Sequence, residues 1–208
     1  MDAKLLIVPG APLLVRDLAG DDPAAASLHA DVVAAVREFA AGEPVDVVIA
    51  DDERWHTEHE GSFKAWGADL TVGYGKTLPE LVARYLAREA GTTVGLVLTG
   101  LPDMAEYPNK VLVVAEGTAA LTERAPMAFQ QRAVDIESYL EAIAGGDVST
   151  SHRGAADLAS VGQDNWEPVG LFTGPLWMDL AAQRPADKQL LVHNTEFGVG
   201  YFVARWSW

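Results

Sequence analysis

The sequence contains no cysteine, and this excludes disulfides, thiolate nucleophiles and thiolate metal sites. It is also poor in cations, since 15 lysines and arginines stand against 30 aspartates and glutamates, for a formal net charge of −15. Nucleic acids and anionic membranes attract cationic surfaces, so we expect neither as a partner. Solubility explains the acidic charge more simply than an acidic surface for a partner does.

Long hydrophobic runs are absent too, and no stretch approaches the roughly 20 apolar residues that span a bilayer. The opening residues Met1–Val8 pass directly into a strand-like run that is too short for the apolar region of a signal peptide. We therefore expect a cytoplasmic protein. No linker rich in proline, serine or glycine divides the chain, which predicts a single domain over residues 1–208.

The stretch 110–121 organises the rest of the chain. Its apolar run 111–115 is mostly β-branched and predicts a strand that is buried on both faces, as in a parallel sheet. The run breaks at Glu116, Gly117 and Thr118. Ligands of open α/β sheets bind beyond the carboxyl ends of the strands. The pocket candidates are therefore residues that follow predicted strands: Gly10, Asp51, Glu116, Thr118 and Glu196.

Strand-like and helical patterns alternate along the first two thirds of the chain. The predicted strands are 5–8, 45–50, 69–74, 94–99 and 110–115, and the predicted helices are 23–41, 79–90 and 127–144, followed by one or two short helices within 155–182. Two further strands, 189–193 and 198–206, predict a C-terminal antiparallel hairpin. Together these patterns predict an α/β protein with a three-layer α/β/α domain and a mixed sheet.

Two histidines, His56 and His59, lie three residues apart in an acidic loop that also contains Asp51. Imidazole and carboxylate together suit zinc or ferrous iron, and His193 and Glu196 are candidates for the distant ligands. The spacing matches no strong metal motif, so we favour a solvated acidic loop with incidental histidines.

Other chemistry has little support in the sequence. It has no Gly-x-Ser-x-Gly elbow of serine hydrolases, and neither a Gly-x-Gly-x-x-Gly turn nor a P-loop for nucleotides. His29 lies in the first predicted helix, where we expect a surface or interface position. The aromatic residues near the end of the chain are expected in the core or at an interface; they include Tyr201, Phe202, Trp206 and Trp208.

Several segments resemble a known family. The sequence is similar, from end to end, to actinobacterial proteins described as similar to the catalytic B subunit of class III (LigB-type) extradiol ring-cleavage dioxygenases. The segments that carry the resemblance are 8–15, 61–70, 124–126, 131–135 and, most specifically, 196–206. The resemblance implies a LigB-like α/β/α fold, and it favours a homodimer.

In ring-cleaving members of that family, two histidines and a glutamate hold ferrous iron, and a further histidine acts as acid and base on a catechol. Here the loop after the first strand reads Gly10-Ala11-Pro12, where the enzymes carry a histidine before the proline. His56 or His59 can fill the second ligand position and Glu196 the carboxylate, whereas Glu116–Thr118 supplies no catalytic histidine. An incomplete ligand set cannot support ring cleavage.

We therefore expect a divergent relative that needs no cofactor and keeps a crevice for a small molecule or a partner. The alternative is an oxidoreductase that depends on non-haem iron or zinc, resembles the extradiol dioxygenases and acts on a small aromatic or related substrate.

Overall fold

The structure is a computed structural model, and it describes residues 3–208 apart from the side chain of Val148. One six-stranded sheet has the order β3-β2-β4-β1-β6-β5. Its strands are β1 (Ala3–Val8), β2 (Val45–Val48), β3 (Val94–Leu98), β4 (Val111–Val114), β5 (Asp187–Asn194) and β6 (Tyr201–Ser207). The first four strands along this order are parallel, and β6 and β5 run antiparallel as a C-terminal hairpin. The predicted mixed sheet and hairpin are confirmed.

Helices cover both faces of the sheet, which confirms the three-layer arrangement. They are α1 (Arg16–Ala19), α2 (Pro23–Ala40), α3 (Leu78–Ala90), α4 (Gln131–Gly145), α5 (Val148–Val161) and α6 (Gly174–Ala182). One buried cluster joins α2 and α3 to the sheet, and a second joins α4 and α6 to the opposite face. Every residue of β2 and β4 is buried, as expected for parallel strands that are covered on both faces.

Local signals explain several element ends. Asp22 caps α2, because its side chain accepts hydrogen bonds from the backbone N–H groups of Ala24 and Ala25. Gly91 ends α3 in the left-handed conformation that glycine adopts without strain. Among the described helices, none combines the length and apolar character that a membrane span requires.

The predicted strand 69–74 is wrong. The segment forms only an isolated bridge between Ser62 and Thr71. Gly73 and Gly75 have φ angles of 95° and 112°, and such positive angles interrupt an extended strand. The alternating pattern belongs instead to a loop whose Tyr74 side chain is exposed.

The expected surface position of His29 is also wrong. His29 is buried between α2 and neighbouring elements, and its Nδ1 lies 2.7 Å from the carbonyl oxygen of Leu14. Its ring centroid is 5.8 Å from that of Tyr85. The hydrogen bond between the His29 ring and the backbone of Leu14 offsets part of the cost of burying a polar side chain on the apolar face of α2.

Two helix boundaries differ from the prediction. α4 begins at Gln131 rather than near Met127, because Ala128 is left-handed with a φ of 56° and Phe129 is exposed. The short helices expected within 155–182 are instead α5 and α6, separated by two 3₁₀ turns. α5 begins as early as Val148, because the Asp147 side chain caps it.

Candidate functional site

A pocket of about 210 Å³ lies beyond the carboxyl ends of the central strands. The segments after β1, β2 and β4 contribute Gly10, Ala50 and Glu116 to its wall. This is the edge at which ligands of open α/β sheets bind. The volume is below the roughly 300 Å³ at which sites for drug-sized ligands begin, so the pocket suits a small molecule.

Glu116 is the only charged residue among the described residues that line this pocket. It follows β4, and its carboxyl reaches across to the loop after β1, where its Oε1 accepts a hydrogen bond from the Gly10 N–H at 2.5 Å. A Cβ atom at position 10 would clash with Val114 and approach Oε1 at 3.1 Å. Glycine at position 10 therefore permits this close approach.

Two side chains bind the backbone carbonyl group of Glu116. Its carbonyl oxygen accepts hydrogen bonds from Thr173 Oγ1 at 2.7 Å and from Trp177 Nε1 at 2.8 Å. Trp177 is fully buried under the sheet. These two donors fix the direction in which the Glu116 side chain leaves the strand, so the carboxyl is presented by a rigid element.

Burial raises the pKa of the Glu116 carboxyl above its usual value, and hydrogen bonds from the backbone N–H groups of Gly10 and of Glu116 itself offset only part of this effect. Among the other described residues, only Gly10 donates a hydrogen bond to this carboxyl, and it does so at Oε1. Tyr201 also lines the pocket, and burial together with the nearby Glu116 raises the pKa of its phenol. The site thus holds a carboxyl and a phenol with unused hydrogen-bonding capacity.

The rest of the wall is apolar and largely aromatic. Trp55 and Phe172 meet edge to face, with ring centroids 6.0 Å apart. Arg54 lies over the Phe172 ring at 4.2 Å and joins the two loops, because it forms ion pairs with Asp52 and Glu167. Three prolines complete the wall: Pro12, Pro79 in the first turn of α3, and Pro126.

A second carboxylate, Glu137 of α4, lies directly behind the pocket and is buried. Its Oε2 accepts hydrogen bonds from the backbone N–H of Thr118 at 2.9 Å and from the Thr118 hydroxyl at 3.0 Å. Its Oε1 lies 3.0 Å from His193 Nε2. Cβ atoms at positions 117 and 200 would clash with this carboxylate, so Gly117 and Gly200 make room for it.

Only some of the predicted pocket residues reach the pocket. Gly10 and Glu116 line it, whereas Thr118 is fully buried and turns toward Glu137 and the carbonyl oxygen of Ala133. Asp51 is exposed and lies 3.2 Å from His56 Nε2. Glu196 is exposed in the hairpin turn. Two of the five candidates, Gly10 and Glu116, therefore line this pocket. The rule for strand ends does not distinguish Glu116 from Thr118, whose side chain turns to the opposite face.

The four metal candidates do not come together. His56 and His59 are exposed in the loop after β2, and His193 is bound to Glu137 on the far side of Gly117. Among residues 3–208, apart from the Val148 side chain, no three histidine, aspartate or glutamate side chains are grouped as a metal site. The pocket itself offers one carboxyl whose Oε1 is already engaged by Gly10. These donors do not fit ferrous iron or zinc, which need three or four protein ligands.

Sequence reasoning missed Trp55, Phe172 and Glu137. Trp55 lies in the acidic loop in which only the histidines were considered as functional residues. Phe172 lies within 155–182, where the pattern of apolar residues predicts the secondary structure least clearly. Glu137 sits among the apolar positions of α4, three residues before Leu140 and one after Ile136. A glutamate on the buried stripe of a helix is a signal of a buried polar partner, and it could have been used.

A larger cleft of about 660 Å³ lies at the opposite end of the sheet. Four of its five charged side chains form two ion pairs, Lys110 with Glu43 at 3.1 Å and Arg205 with Glu38 at 2.5 Å. It therefore offers few polar groups that await a ligand, and the smaller pocket at the carboxyl ends is the better candidate.

Comparison with known proteins does not assign the chain to a family. No family model matches the chain, and a search of curated proteins finds no significant match. The candidate site must therefore be interpreted from its own chemistry.

Proposed function

We propose that this protein binds a small, largely apolar organic molecule in the Glu116 pocket without the help of a metal ion. The LigB-like relationship is part of the same proposal, with the fold and the crevice kept and the ring-cleaving chemistry lost. The observation that carries the proposal is the Glu116 carboxyl, which has a single donor from another described residue and lies in a largely aromatic and apolar wall. Binding pockets commonly combine an apolar lining with a few convergent polar groups.

The loss of ring cleavage is supported by the donors at the pocket. The loop after β1 contributes Gly10, Ala11 and Pro12, and no histidine stands among the described residues of the wall. His193 is engaged by Glu137 and is held away from the pocket. A facial set of two histidines and a carboxylate therefore has no counterpart at this place.

The test uses benzyl alcohol as a probe, because its ring matches the aromatic wall and its hydroxyl can pair with Glu116. Saturable shifts in NMR spectra should include the indole signal that Trp55→Phe removes. Phe172→Ala should weaken binding by about five- to tenfold, since an aromatic contact contributes about 1 kcal/mol. Phe129→Ala is the matched control, because Phe129 is exposed and lies outside the pocket wall.

Equal affinity in the Phe172 and Phe129 variants would contradict binding in this pocket. The metal-dependent alternative is tested by titration with iron(II) and zinc. Near-stoichiometric metal that His56→Ala or His59→Ala removes would contradict the proposal and favour the dioxygenase-like oxidoreductase.

Two further expectations remain predictions. A homodimer is expected from the resemblance, and the mass in solution would decide it. A cytoplasmic location is expected from the sequence, and fractionation of cells would decide it.

A further inference from the structure

The Glu116 pocket combines a carboxyl with a few neutral hydrogen-bond donors. The backbone N–H groups of Gly10, Gly117 and Ala119 already donate to Glu116, Gly200 and Val169. Thr173 Oγ1 donates to the Glu116 carbonyl oxygen. Among the side-chain donors of the described lining residues, the Trp55 indole N–H and the Tyr201 hydroxyl are left without a hydrogen-bond partner. An anionic ligand would find these two neutral donors but no cation, beside a carboxylate that repels it.

The wall also lacks a cation that could balance Glu116. No lysine, arginine or histidine is found among the described residues that line the pocket. The guanidinium of Arg54, which lies over the Phe172 ring, is balanced by Asp52 and Glu167. Charged groups in low-dielectric surroundings are normally paired, so a cation from outside the chain would stabilise the charged form of Glu116.

Three aromatic residues line the same pocket as this carboxyl: Trp55, Phe172 and Tyr201. The faces of aromatic rings are electron-rich and attract ammonium groups within about 6 Å of the centroid. The formal net charge of −15 adds a long-range attraction for cations. A carboxyl, several aromatic faces and an acidic protein all favour the same class of ligand.

From this arrangement we infer that the ligand of the pocket is a small organic amine in its protonated form, with an apolar or aromatic body. The ammonium group donates to Glu116 Oε2, and the body packs against Trp55 and Phe172. This inference rests on the proposed function, because it names the ligand class of the same pocket. Burial that raises the pKa of Glu116 agrees with it, since an ammonium beside the carboxyl would favour its charged form and lower this pKa again.

The experiment compares three probes of matched shape at neutral pH by calorimetry: benzylamine, benzyl alcohol and benzoate. Benzylamine should bind about tenfold or more tightly than benzyl alcohol, because a charge-assisted hydrogen bond exceeds a neutral one. Benzoate should bind most weakly. Glu116→Gln should remove the preference for benzylamine over benzyl alcohol, because the amide oxygen still accepts a hydrogen bond but carries no charge.

Glu196→Gln is the matched control, because it removes the same charge at an exposed position outside the pocket. Wild-type protein gives a second readout that needs no variant. The preference for benzylamine over benzyl alcohol should weaken as the pH falls through the raised pKa of the Glu116 carboxyl, because the protonated carboxyl has no charge for the ammonium to pair with.

The outcomes separate the two proposals. Similar affinities for benzylamine and benzyl alcohol, or tightest binding of benzoate, would overturn the amine inference while a pocket for small molecules remains. An unchanged preference in Glu116→Gln would overturn it as well. If none of the three probes binds, the proposed function itself is overturned, and the inference with it.

Discussion

Two carboxylates lie on opposite sides of the same turn, and their surroundings differ completely. Glu137 is buried in the core and has three donors, two from Thr118 and one from His193. Glu116 opens into a pocket and has one donor from another residue, the Gly10 N–H. Gly117 separates them, and its lack of a side chain lets Glu137 approach the backbone closely.

The difference indicates which of the two groups serves the fold and which serves a ligand. A buried carboxylate with a full set of donors stabilises the elements that supply those donors. A carboxyl with a free oxygen in an apolar pocket costs stability, and such costs are characteristic of functional sites. Glu137 therefore supports the turn that presents Glu116.

Removal of the well-satisfied carboxylate should give the largest effect. Glu137→Ala should lower the free energy of unfolding by about 3 kcal/mol, because it leaves the Thr118 N–H without its acceptor and opens a cavity in the core. Urea denaturation followed by circular dichroism measures the change. Glu141→Ala, one turn later and half exposed, should change it by no more than about 0.5 kcal/mol.

Equal losses in these two variants would mean that Glu137 is not the anchor of the turn. The structural role assigned to Glu137 would then be wrong, and another contact would have to hold the backbone of Glu116 in place.

Neutralisation of the poorly satisfied carboxyl should have the opposite sign. Without a ligand, Glu116→Gln should raise the free energy of unfolding by about 1 kcal/mol at neutral pH, the usual gain when an unfavourable functional group is relieved. The sign follows from the raised pKa. The native state holds this proton to higher pH than the unfolded chain does, so wild-type stability falls as pH rises above the ordinary carboxyl pKa.

The measurement is the free energy of unfolding as a function of pH for wild type, Glu116→Gln and Glu196→Gln. The Glu116 variant should lack part of the decline that the wild type and the Glu196 variant share. A loss of stability in Glu116→Gln at neutral pH would show that the Gly10 hydrogen bond matters more than the burial of charge.

The sequence predicted the layers of this fold because continuous apolar runs and helical stripes are local signals. The runs 5–8 and 111–114 became parallel neighbours, and the final two runs became a hairpin. The prediction failed where positive φ angles of glycine determine the direction of the backbone, as at Gly73 and Gly75. Alternation of apolar residues alone could not show that the 69–74 segment turns rather than extends.

The site was half predictable for a similar reason. Glu116 follows a buried strand, and the rule for strand ends applies to it directly. The aromatic wall could not be predicted, because Trp55 and Phe172 are 117 residues apart and meet only through the packing of two loops. The face to which Thr118 turns was likewise decided by Glu137, which lies 19 residues away on another element.

The smallest effect concerns His193, the side-chain partner of Glu137 from β5. Burial disfavours its charged form, yet its hydrogen bond to Glu137 and the charges of Glu137 and Glu141 outweigh this and raise its pKa. A group with a raised pKa contributes stability that is complete below its unfolded pKa of about 6.5 and is lost as pH rises through the folded pKa. The free energy of unfolding should thus decline slightly as the pH rises above about 6.5, by less than about 1 kcal/mol.

His193→Gln should remove this decline, whereas His59→Gln, at an exposed loop position, should keep it. Unfolding curves from mildly acidic to mildly alkaline pH would measure both, and the same decline in both variants would mean that the contrast between the two carboxylates does not extend to β5.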